Sequence, residues 1–191
     1  RDPLNSVHDD NAIFYTRENT KYHLGFDADG WSYDLLAPIA IRLQHSKELK
    51  NSLTLCDWAY PLISKDKSNN YIGREYPAQL FSNVTGINID ESGLETYGER
   101  ITNMMRAIMV TEQRTILEDD IDETRYKIPL RVRRGSDEKR LVDKKKLGEA
   151  RTDFYRLRGW DIETGRPSGD KLDELGLQDV RIKLEQQGLT P

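Results

Sequence analysis

The sequence predicts an all-α fold: a multihelical domain with a polar N-terminal segment and a long charged loop. Three observations predict it. Twenty-one leucines stand against six valines, and a β-rich chain would favour branched residues that suit a pleated surface. Apolar residues recur at three- and four-residue steps along several segments. Helix punctuation, with Ser, Asp or Pro at starts and Gly at ends, recurs between them. Ile, Leu, Val and Phe make up 45 of 191 residues, above the roughly 20% below which a charged chain stays disordered.

Residues 1–30 are polar and turn-rich, with Pro3, Gly25 and the run Asp27-Ala-Asp-Gly30. Regular structure is expected to be thin there. Tyr33 to Ser46 carries Leu35, Leu36, Ile39, Ala40 and Leu43 at helical spacing, with Asp34 or Ala37 as cap and Pro38 in the first turns. Asn51 offers an N-cap side chain for a second, short helix. Its apolar side would include Leu55, Trp58, Ala59 and Leu62, and Pro61 would stop it.

Ser64 to Tyr76 reads as a polar connector. Pro77 to Gly86 has proline inside the start and glycine past the end, the asymmetry of a short helix. Ser92-Gly-Leu-Glu95 is a capping-box pattern. Behind it, Leu94, Tyr97, Ile101, Met104, Met105 and Ile108 define a helix over roughly Gly93 to Thr111.

The acidic run Glu118–Glu123 reads as a solvated surface segment. Arg131 to Lys146 holds eight basic residues against three acids, and with Pro129 and Gly135 it reads as a long excursion or hairpin outside the core. Asp143 to Arg158 resumes a helix that would bury Leu147, Ala150, Phe154 and Leu157. Gly159 to Gly165 is a turn. Ser168 caps a helix with Leu172 and Leu175 that ends at Gly176, and Asp179 to Gln187 is a last helix closed by Gly188.

Twenty-nine basic and thirty-three acidic residues give a net charge of −4, which does not make a general nucleic-acid surface. The basic stretch has no interleaved aromatics for base stacking. No apolar run approaches the roughly 20 residues of a membrane span, and the polar opening RDPLNSVHDD does not read as a signal peptide. One cysteine, Cys56, excludes an internal disulfide and suits a reducing, cytoplasmic setting. The opening on Arg1 leads us to expect a piece of a longer chain.

Few residues carry chemistry by pattern alone. A lone cysteine is commonly a small buried hydrophobe, and one thiolate cannot hold an iron–sulfur cluster. Cys56 is a ligand only if other ligands come from elsewhere. None of His8, His23 and His45 stands at a metal-binding spacing. His45, near a helix end, is expected to complement the C-terminal dipole. His8, beside Asp9 and Asp10, is either a solvated loop histidine or one whose ring and basicity an aspartate tunes.

The segment Phe154-Tyr-Arg-Leu-Arg-Gly-Trp-Asp161, with Gly165-Arg-Pro-Ser168 and Lys171-Leu-Asp-Glu-Leu-Gly-Leu177, resembles the C-terminus of the tungsten-containing aldehyde:ferredoxin oxidoreductase family. So does Tyr97-Gly-Glu-Arg-Ile-Thr-Asn103 with Arg106. Asn51-Ser-Leu-Thr-Leu-Cys56 is similar to that family's Asp-x-x-Gly-Leu-Cys motif. The resemblance implies that residues 1–191 form the third, helical domain of a longer oxidoreductase chain, inactive by itself.

The resemblance further implies two cofactors in the intact enzyme: a tungsten (or molybdenum) bis-pterin and a [4Fe–4S] cluster. Cys56 would be the cluster's fourth ligand. Asn51 would hydrogen-bond a pterin's amino-pyrimidine edge, with backbone groups of Thr54 and Leu55 adding to this. His8 would lie near the metal as a catalytic proton shuttle or hydrogen-bonding group. The implied partners are the upstream domains and ferredoxin or another electron carrier, with no nucleic acid and no membrane. Exposed interdomain faces would make the fragment self-associate.

Two positions depart from the motif. Asn51 replaces Asp, so a charge-assisted bond becomes neutral. Thr54 replaces Gly, so the backbone should approach a cofactor less closely. The alternatives to an aldehyde-oxidising enzyme are a benzoyl-CoA-reductase-like tungsten subunit, a family member without a cluster, and a helical interaction module.

Overall fold

A computed structural model describes residues 33, 36–55, 64–65, 67, 71–72, 76–114, 116–131 and 139–191. Six α-helices lie among them: α1 (Leu36–Ser52), α2 (Tyr76–Thr85), α3 (Glu91–Thr111), α4 (Lys144–Leu157), α5 (Gly169–Glu174) and α6 (Gln178–Gln186). The all-α expectation holds. Strand structure among the described residues is confined to two minimal antiparallel ladders. In one, β1 (Ser64–Lys65) pairs with β2 (Tyr71–Ile72); in the other, β3 (Leu130–Arg131) pairs with β4 (Lys139–Arg140). The second ladder pairs the two ends of residues 130–140 antiparallel, while residues 132–138 between them lie outside the described residues.

The helix ends show which side chains won the capping competition. Asp90, not Ser92, caps α3: its Oδ1 accepts from the Gly93 amide at 2.8 Å. A carboxylate at the positive end of a 21-residue helix outcompetes a hydroxyl two residues on. Asp143 caps α4 through the amides of Lys145 and Lys146, and Ser168 caps α5 through Lys171. Asn51 caps nothing at an N-terminus. Helix α1 runs on past Ser46 to Ser52, so Asn51 sits in its last turn. Most of the second helix expected after Asn51 falls outside the described residues.

Helix α1 packs against both α3 and α4. Its approach to α3 is close because residue 98 is glycine. A Cβ there would stand 2.7 Å from the carbonyl oxygen of His45, closer than atoms pack. One apolar cluster joins Ala37 and Ala40 of α1 to Phe154, Tyr155 and Trp160. A second joins Ala107 and Val110 of α3 to Leu172, Leu175, Leu177 and Leu184.

One expected core face differs, and α3 buries a face that its apolar spacing did not mark. Leu157 is exposed, and Tyr155 is buried in its place. Helix α3 buries Leu94, Gly98, Thr102, Asn103, Arg106, Ala107 and Val110. Its periodic large apolar residues Tyr97, Met104, Met105 and Ile108 are exposed instead. The inward face is small and polar because it accepts another helix at close range and feeds a buried hydrogen-bond network.

Candidate functional site

Helix α1 ends in a left-handed turn that carries three of the expected site residues. The Leu55 amide donates to the Lys50 carbonyl at 2.9 Å, and the Thr54 amide donates to the Asn51 carbonyl at 3.2 Å. This pair of bonds is a Schellman closure. It needs a positive φ at the residue after the cap, and Thr54 has φ +56°. The same closure follows α4, α5 and α6 with Gly159, Gly176 and Gly188 at that position. A β-branched residue there is a genuine outlier. The motif glycine is thus explained by backbone conformation: it is the residue that turns the chain out of α1.

The turn sets what these residues offer. The amides of Thr54 and Leu55 are spent on closing the helix, so their backbone contribution to a ligand is restricted to carbonyl oxygens. The Thr54 hydroxyl donates to the Leu53 carbonyl at 2.7 Å. Asn51 is exposed, and its Nδ2 donates to Glu48 Oε2 at 3.3 Å. The end of α1 therefore presents acceptors, which suits a partner edge rich in N–H donors.

Cys56 and His8 lie outside the described residues. No group of three or more His, Cys, Asp or Glu able to hold a metal ion occurs among the described residues. Asn51, Thr54 and Leu55 are brought together in one turn, and the chain places Cys56 next after Leu55.

The Phe154–Asp161 segment fixes α1 in position. Arg158, 1% exposed, reaches across to α1, where its Nη1 lies 3.3 Å from His45 Nε2 and its Nη2 donates to Gln44. Its guanidinium lies 4.7 Å from the centre of the Phe154 ring and 5.2 Å from that of Trp160. Burial pushes the Arg158 pKa down to about 9, with Glu99 opposing and Arg106 adding to the fall. His45 is 6% exposed and driven down to about 3 by burial, then by Arg158, Arg42 and Lys171. It is neutral, so it does not complement the helix dipole. It is a core residue seven positions before the helix end.

A second buried network bridges α3 and α4 through Asp119. Asp119 accepts from Arg106 Nη1 at 2.9 Å, from Arg114 Nε at 2.9 Å and from the Tyr155 hydroxyl at 2.7 Å. Burial alone would raise its pKa, but hydrogen bonds from Arg106 and Tyr155 win and hold it below the usual carboxylate range. Arg106 Nε also donates to the Gly165 carbonyl at 2.8 Å. Trp160 Nε1 donates to Asn103 Oδ1 at 2.8 Å. Asp119 thus departs from the solvated role expected of its acidic run. Charge alone gave no sign of this, because two of its three partners lie 13 and 36 positions away.

Asn103, Arg106, Tyr155, Arg158, Trp160 and Gly165, which these networks join, belong to two of the segments that carry the sequence resemblance, 97–106 and 154–168. The family model for aldehyde ferredoxin oxidoreductase, domains 2 and 3, matches residues 8–177. Among solved structures, the chain is similar in fold to one of the "Active site complex BamBC of Benzoyl Coenzyme A reductase in complex with 1,5 Dienoyl-CoA", with a TM-score of 0.64 and 16% identity. That likeness covers 83% of this chain and 22% of the other, so the chain spans about a fifth of its length. With the family match extending over most of its residues, this chain belongs to the aldehyde ferredoxin oxidoreductase family.

Proposed function

We propose that the chain is the C-terminal helical domain of a tungstopterin, iron–sulfur oxidoreductase. On this reading the intact enzyme oxidises an aldehyde or related substrate to a carboxylic acid and passes electrons to ferredoxin. The observation that carries it is the family match together with the acceptor-rich turn after α1, the turn that leads into Cys56.

The residues fit the implied groups in a limited way. Asn51 Oδ1 would accept from the pterin's amino-pyrimidine edge, with Glu48 taking Nδ2 and so fixing which end of the amide faces the ligand. The carbonyls of Thr54 and Leu55 would accept as well. Cys56 would supply one thiolate, and the remaining cluster ligands must come from upstream. His8 would hold or move a proton near the metal. When bound, the metal and cluster supply the two-electron oxidation and its one-electron exit; the protein binds, orients and tunes.

A second reading keeps the same cofactors with a different substrate: a benzoyl-CoA-reductase-like tungsten subunit. The fold likeness to the BamBC complex favours it. Purified intact enzyme decides between them. Aldehyde-dependent reduction of a viologen dye or ferredoxin is the result expected of the first. Turnover confined to an aromatic or dienoyl thioester would select the second. Full-length protein with neither tungsten nor molybdenum would refute both.

A further inference from the structure

Arg158 is an expensive residue to bury. It is 1% exposed, its Nε has no partner, and among the described residues no carboxylate pairs with it. Glu99, the acid that acts on it, is held by Lys171 at 3.3 Å. A buried charge of this kind is commonly no more stable than an apolar side chain of similar volume. A cation at the C-cap of α4 does complement that helix's dipole, but a lysine would do so equally. What the guanidinium adds is a fork. Nη2 donates to Gln44 and Nη1 lies 3.3 Å from His45 Nε2, two consecutive residues of α1, while the rings of Phe154 and Trp160 hold its plane. The fork sets the roll of α1 about its own axis. Gln44, Glu48 and Asn51 stand at i, i+4 and i+7, one stripe of that helix. Glu48 accepts from Asn51 Nδ2 at 3.3 Å. Asn51 lies about 10 Å along the axis from Gln44, and a rigid helix carries both through one angle. A roll of about 20° moves an atom at the helix surface by about 2 Å, enough to break a hydrogen bond.

We infer that Arg158 is a positioning residue for Asn51: it fixes the angle at which the end of α1 presents its acceptors to a pterin, at no gain in stability. This inference rests on the proposed reading that the 51–55 turn faces that cofactor.

The test uses the intact gene product, wild type beside Arg158→Met and Arg158→Lys. It reads the pterin retained through gel filtration, as its fluorescent oxidation product, and the thermal midpoint of the cofactor-free form. Arg158→Met removes the charge and the fork, and Arg158→Lys keeps the charge alone. Both should retain about tenfold less pterin than wild type. Cofactor-free Arg158→Met should unfold within about 2 °C of wild type, or above it. Wild-type retention in both variants would overturn the inference and leave the redox reading standing. Full retention in Arg158→Lys alone would also overturn it, because charge and not the fork would then be what matters. Pterin loss in Arg158→Met with a midpoint lowered by more than about 5 °C would assign Arg158 to the core, not to positioning. Where Arg158→Met yields no folded protein, Gln44→Leu removes the same bond from the α1 side and is held to the same two readouts. Wild type without pterin would remove the redox reading, and the inference with it.

Discussion

Thr54 is held where glycine belongs. Its φ of +56° places Cβ against the following carbonyl, a conformation that costs an L-residue about 1–2 kcal/mol. Thr54→Gly removes that strain while enlarging the unfolded chain's freedom by about 0.4–1 kcal/mol. Thr54→Gly is expected to raise the urea midpoint, with a net gain of about 1 kcal/mol. A lowered midpoint would show that the Thr54 hydroxyl bond to Leu53 outweighs the backbone strain.

Asp119 belongs to the same scale. It neutralises Arg106 and Arg114 and takes the Tyr155 hydroxyl in a buried site. Asp119→Ala strands a buried guanidinium, and about 3–5 kcal/mol of stability should be lost in denaturant titration. Loss of less than about 1 kcal/mol would mean that water or a neighbouring acid replaces it.

His45 sets a pH dependence. Its folded pKa of about 3 lies below the ordinary 6.5, so the unfolded chain binds a proton that the folded chain refuses. Stability from this group is complete above pH 6.5 and falls as pH drops toward 3. By pH 5 the loss should be about 2 kcal/mol. Asp119, also depressed, adds a loss of the same sign only at more acidic pH, below its ordinary 3.8. Urea titrations of wild type and His45→Gln from pH 7 to 5 read this directly. A parallel decline in both proteins would remove His45 as the cause.

At the scale of elements, the contact between α1 and α3 determines where the 51–55 turn lies. Gly98→Ala would drive a Cβ into the His45 carbonyl, and overpacking of this kind costs about 1–3 kcal/mol. The same substitution should speed amide exchange at Thr54 and Leu55, whose bonds close α1. Unchanged exchange would uncouple the turn from the α1–α3 crossing.

Helices were legible here from spacing and punctuation: α2, α4, α5 and α6 begin and end near the positions that proline, aspartate, serine and glycine mark. What spacing could not reveal was direction. The stripe from Tyr97 to Ile108 identifies a helix correctly, yet it faces away from α1, because periodicity records an apolar face without recording its partner. The buried face of α3 relies on Gly98, Asn103 and Arg106, residue types that hydropathy reads as surface. The merger of Asn51 into α1 was equally hidden, since an asparagine suits both ends of a helix and the closing turn uses a threonine where glycine would have announced it.

The whole molecule joins two buried networks around one helix. Arg158 grips α1 at Gln44 and His45, while Asp119 and Trp160 tie α4 and the 159–165 turn to α3. The segment resembling the family's C-terminal signature therefore has a physical role, since it anchors the helix whose end leads into Cys56. No helix among the described residues is long and apolar enough to cross a membrane. Within the proposed enzyme, the domain would contribute a single thiolate and a set of acceptors to a site whose other walls lie upstream.

That contribution can be read from iron and acid-labile sulfide in the intact enzyme, wild type beside Cys56→Ala. Iron and sulfide are expected in the wild type, with their loss, or conversion to a smaller cluster, in the variant. Unchanged iron and sulfide in Cys56→Ala would contradict the proposed ligation, because the end of α1 would then deliver no ligand.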